Sequence, residues 1–171
     1  MSDRIDTIVS SINSAISAGT SYTDNLLGVA KIHDLENKKY PAIWDTSKWN
    51  EIALDTSYDL QIYHRITGIS HENNDEFDFG PSKEPNQRNY SMLMTVIFSK
   101  SYEEDELEEI IGLIPRDITD ASYAFVTVNI GDVNTNQDEV IESEWGALDY
   151  TKHKSSFNIY QVGYEVELIT C

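Results

Sequence analysis

The sequence predicts an α+β fold: an antiparallel sheet with an N-terminal amphipathic helix and a second, acidic helix packed on it. Three observations predict it. Apolar residues recur at helical spacing near the start of the chain. Strict period-two alternation appears at residues 58–66 and again over a long terminal run at 156–170. An acid-rich helical segment lies between strand-like pieces, and this order suits helices gathered on one face of a sheet.

The first element is a helix over residues 3–18, because Ile5, Ile8, Val9, Ile12, Ala15 and Ile16 form one apolar stripe. Ser2 is placed to cap it, Asp3 and Asp6 suit the positive end of its dipole, and Gly19 is placed to end it. Ser10, Ser11, Ser14 and Ser17 make the opposite face small and polar. Short strands are predicted at Leu26–Ile32 and Ala42–Trp44, separated by the turn-prone Asn37-Lys38-Lys39. Tyr40-Pro41 enters the second of these, and a proline there indicates an edge or a first strand position. In Tyr58–Ile66 the residues Leu60, Ile62 and Ile66 share a side, which marks a half-buried strand.

Residues 70–90 hold Asn73, Asn74, Asp75, Gly80, Pro81 and Pro85, so a long loop is expected there, of the kind that carries a function or is mobile in the isolated chain. Ser91–Ser99 resumes as a strand with apolar residues on both faces, as a central strand requires. A helix follows from Glu103, with Ser101 as its cap, Leu107, Ile110, Ile111 and Ile114 facing inward, and Pro115 ending it. Strands are then predicted at Tyr123–Ile130, at Val140–Trp145 and at Ser156–Thr170, with a polar loop at Gly131–Asp138. No interdomain linker or repeat interrupts this order, so residues 1–171 read as a single α+β domain.

Composition narrows the function classes. The chain of 171 residues has 12 basic and 30 acidic side chains, for a net charge of −18. That balance argues against nonspecific nucleic-acid binding and against docking on anionic lipid. With 40% hydrophobic residues, ten Tyr, five Phe and three Trp, the chain has enough apolar surface to fold despite its charge. No run has the length of a membrane span, and Met1-Ser2-Asp3 does not begin a secretory signal, so synthesis in a reducing cytoplasm is expected. Cys171 is the single cysteine and leaves no internal disulfide to form.

No catalytic signature is present, and no enzyme, cofactor or metal is expected. Asp132, Asn134, Asn136 and Asp138 match the spacing of the first calcium ligands of an EF-hand. Gln137 replaces the glycine at its sixth position and Ser143 the glutamate at its twelfth, so the expected role is a turn in which Asn and Asp bond their own backbone. His33, His64, His71 and His153 fall in no zinc-ligand spacing, and His64 alternates in register with Ile62 and Ile66, as a hydrogen-bonded histidine beside a core does. The run Glu103, Glu104, Asp105, Glu106, Glu108 and Glu109 is exposed on either of two readings. It is a solvated outer face complementing the helix dipole, or a surface that meets a basic partner or repels passing DNA.

Three stretches together carry a resemblance: the N-terminal helix DRIDTIVSSINSAIS, the Tyr-Pro-Ala-Ile-Trp strand near residue 40, and the terminal strand FNIYQVGYEVELITC with the acidic-helix region before it. In element order, over most of its length, the chain resembles the tail terminator and head-to-tail connector proteins of tailed bacteriophages. That resemblance implies a virion subunit forming a sixfold or twelvefold ring at the neck or tail end. Its implied partners are further copies of itself, neighbouring portal, connector or tail proteins, and DNA passing without sequence-specific contact; no membrane is involved. On this reading Trp44 and Trp49 are interface anchors and the 103–109 acids an interaction surface. The alternative is an acidic adaptor or inhibitor domain that binds a basic protein.

Overall fold

The computed structural model of the chain describes residues 3–20, 24–29, 31–35, 38–45, 48–51, 58–73, 86–100, 104–140 and 156–169, with side chains over 5–20, 58–70, 87–100, 105–140 and 156–169. Helix α1 spans Asp3–Gly19. Strands β1 (Asp24–Val29), β2 (Lys31–Leu35), β3 (Lys38–Asp45), β4 (Lys48–Glu51), β5 (Leu60–Asn73) and β6 (Asn86–Ser99) follow it. Helix α2 (Glu104–Leu113) then precedes β7 (Phe125–Asn134) and β8 (Phe157–Ile169). The architecture is α+β, as predicted, with more strands before the second helix than the sequence pattern separates.

Five strands form the main sheet in the order β1-β5-β6-β8-β7. Four of them, β5, β6, β8 and β7, are antiparallel neighbours. β1 adds a parallel edge on β5, which differs from a wholly antiparallel expectation. Parallel pairing needs a long crossover, and residues 30–59 supply one that contains the separate antiparallel sheet β2-β3-β4. The strand expected over 26–32 is therefore two, β1 and β2, in different sheets. Pro41 lies inside β3, where its register partner is Ile32 on β2. On the other side, pairing with β4 begins at Ala42, so among the described residues the proline has a strand neighbour on one side only, a position that tolerates its missing N–H.

The loop expected at 70–90 is mostly strand. Ser70, His71, Glu72 and Asn73 pair with Asn89, Arg88, Gln87 and Asn86, and only residues 74–85 lie outside the described part. On β5 this part begins beyond the buried stretch, where Ile69 leaves 55% of its surface exposed, and on β6 Gln87, Arg88 and Asn89 are half-buried. The loop expected from Gly131 is strand as well. β7 continues to Asn134 through a bulge in which Gly131 and Asp132 oppose Gly163. A Cβ on Gly131 would stand 3.3 Å from the Gly163 carbonyl oxygen, so the close approach favours glycine on both strands. Val140 belongs to a helical turn at 137–140 instead of starting a strand, and the remainder of that expected strand lies outside the described residues.

The core lies between one face of the main sheet and the two helices. Ile5, Ile8, Val9, Ile12 and Ile16 of α1 are all at most 2% exposed, each contributing on the order of 1.5–3 kcal/mol. They share a cluster with Leu60 and Ile62 of β5, Met92 to Phe98 in alternation on β6, Tyr160 to Leu168 in alternation on β8, and Leu107, Ile110 and Ile114 from the α2 region. The centre of the opposite face is buried too, at Gln61, Tyr63, Thr95, Ile97, Ile159 and Gln161, as befits the central strands.

Candidate functional site

Helix α2 presents its acids as the spacing requires. Leu107 and Ile110 enter the core, which turns Asp105, Glu108 and Glu109 to solvent and leaves Glu106 half-buried, a departure from a fully exposed run. Glu104 opens the helix, and Glu103 and Ser101 lie outside the described residues. α2 has no basic residue in its last turn, so its negative face is not offset along its own length. Trp44 and Trp49 are register partners on β3 and β4, which places them opposite each other on one hairpin. The side chains of that sheet lie outside the described residues.

Beside the acidic face, Leu107 and Ile111 of α2 and Val133 and Thr135 near the end of β7 line an open cleft of about 690 Å³, with Asp105 and Glu108 in the same wall. Val133 leaves 42% of its surface exposed there. The bulge explains its aim: without the extra residue after Ile130, period-two alternation would turn Val133 to the opposite face. The sequence pattern missed this cleft because it joins residues on two elements through a bulge with no apolar periodicity of its own.

A second constellation lies in the interior. His64 on β5 is fully buried, its Nε2 is 2.7 Å from Asn13 Oδ1 on α1, and the Tyr164 hydroxyl on β8 is 2.9 Å from its Nδ1. An amide oxygen only accepts, so Nε2 carries the proton and donates to Asn13, while Tyr164 donates to Nδ1. The Tyr164 ring meets the imidazole edge to face at 5.8 Å. Burial lowers the His64 pKa to about 3 and raises that of Tyr164, so both groups are neutral near pH 7. Both imidazole nitrogens are engaged and neither reaches solvent, so the trio ties α1 to two strands and has no free group for acid–base work. It matches the role expected for His64, with partners the sequence did not indicate.

The Asp132–Asp138 segment is occupied with its own backbone. Asn134 Oδ1 accepts from the Asn136 N–H at 2.9 Å, and Asn136 Oδ1 accepts from the Glu139 N–H at 3.4 Å at the start of the 137–140 turn. Gln137 Oε1 accepts from the Ile159 N–H at 2.5 Å and fixes that turn to β8. Among the described residues no group of three or more His, Cys, Asp or Glu is placed to hold a metal ion, and no helix is long and apolar enough to cross a membrane. In comparison with known proteins, the sequence matches no family model and no curated relative.

Proposed function

We propose that the chain is a structural virion subunit that assembles into a ring at the neck or tail end of a bacteriophage and lets DNA pass along an acidic surface. The observation that carries this reading is the far half of β5, beside β6. Pairing with β1 ends at His64, yet β5 runs on to Asn73, so among the described residues its far half has a strand neighbour on one side only. A strand edge of this kind is a template for pairing with another chain. Ile69, exposed on this half of β5, gives such pairing an apolar contact.

The charge supports the same reading. A net charge of −18 opposes binding of polyanionic DNA, and a ring lined by such surfaces would let it slide. Native mass spectrometry over a wide concentration range, with electron microscopy of the same samples, tests the proposal. Closed particles of six or twelve copies are expected. A monomer at every concentration, with no ring in the micrographs, contradicts it.

A further inference from the structure

We infer that the cleft between α2 and the C-terminal half of β7 is a docking site for an extended segment of a partner protein that carries basic and apolar side chains together on one face. Its volume of about 690 Å³ falls within the roughly 300–1,000 Å³ typical of ligand clefts. Its floor is apolar, from Leu107, Ile111 and the exposed Val133, and its polar wall is anionic, from Asp105 and Glu108, with no Lys or Arg among the lining residues.

The adjoining strand edge explains why the occupant is extended. β7 ends the order of the main sheet. Its first half is covered by the segment 116–118: the Ile118 N–H donates to the Val126 carbonyl at 3.0 Å, and the Val128 N–H donates to the Arg116 carbonyl at 2.7 Å. Among the described residues this cover stops there, and no strand follows it along residues 129–134. A segment laid in the cleft meets this edge and can add a strand to it, with every second side chain directed into the cleft, where the apolar floor and the acids lie together.

Charge selects the partner. A second copy would bring another 18 net negative charges to an anionic wall, whereas a Lys- or Arg-bearing segment is attracted to it. The site does not depend on ring formation, and the two proposals fail separately, since native mass reads one and peptide titration the other.

The test is fluorescence anisotropy of the full chain with a labelled Lys/Val peptide of about nine residues, in which Lys and Val take turns at every second position and Ser stands between them. Wild type is expected to bind it, and the double variant D105K/E108K to bind it at least about tenfold more weakly while gaining affinity for the matching Glu/Val peptide. Val133→Lys, at a position already exposed, is expected to weaken the Lys/Val peptide as well. Hydrogen exchange of residues 129–134 is expected to slow when that peptide is bound. The inference is overturned if wild type does not bind the peptide, if D105K/E108K binds it as well as wild type does, or if oligolysine of equal length binds as tightly. It is also overturned if Val133→Lys abolishes a dimer of the free chain, which would make a second copy the occupant.

Discussion

His64 shows how one buried side chain can join three elements. In the interior an imidazolium would be desolvated, and among the described residues His64 is bonded to an amide and a phenol instead of a carboxylate, so the neutral ring is kept and its two nitrogens are matched to one acceptor and one donor. Tyr164→Phe leaves Nδ1 buried without its donor and is expected to cost about 1–3 kcal/mol, read as a lower urea midpoint at pH 7. The pH dependence has a defined sign. The pKa is about 3 in the folded chain against 6.5 for a free histidine, so below about pH 6.5 the unfolded chain takes up the proton first. The stabilisation is complete above 6.5 and is lost as pH falls toward 3. At about pH 5 the loss from this group is about 2 kcal/mol, and His64→Gln should lack it, so the gap in unfolding free energy between wild type and variant should narrow from pH 7.5 to pH 5. A constant gap would show that His64 does not carry this linkage. The alternation of Ile62, His64 and Ile66 places the histidine in the core from sequence alone. Its partners stand 51 and 100 residues away, and no local pattern encodes a meeting at that separation.

At the scale of elements, the two helices meet where their ends converge. A Cβ on Gly19, at the end of α1, would run into the side chain of Leu113, at the end of α2. The glycine thus ends its helix and also leaves room for the second one. Gly19→Val is expected to destabilise by about 1–3 kcal/mol through overpacking, and Leu113→Ala in the same chain should recover part of that loss. Purely additive effects in thermal or urea unfolding would mean that the two ends do not press on each other. Helix α1 was legible because five buried isoleucine and valine residues repeat every three or four positions. The far part of β5 and β6 was not, because Ser70–Asn73 and Asn86–Asn89 are polar, with turn-forming Ser70, Asn73, Asn86 and Asn89 among them, and are held in strand by the register that begins in the apolar part of the same hairpin and by pairing of β6 with β8. Once Ile62 faces Val96, the ladder runs on past residues whose own preference is for turns.

For the whole molecule, self-repulsion is the dominant electrostatic fact. With −18 net charge, compaction brings like charges together, and added salt should relieve them. The melting temperature is expected to rise by several degrees between about 20 mM and about 500 mM sodium chloride, and a fall would indicate that attractive ion pairs outweigh the repulsion. The sequence by itself determined the fold class, both helices, the central position of β6 and the long terminal strand. Each follows from periodicity, and periodicity is a local record of which side of an element is buried. Only the tertiary structure decided the parallel seat of β1, the partners of His64, the bulge opposite Gly163 and the cleft between α2 and β7. These depend on strand order and register, which bring together residues far apart in the chain, and the free energy of such contacts belongs to the pair and leaves no mark on either segment alone.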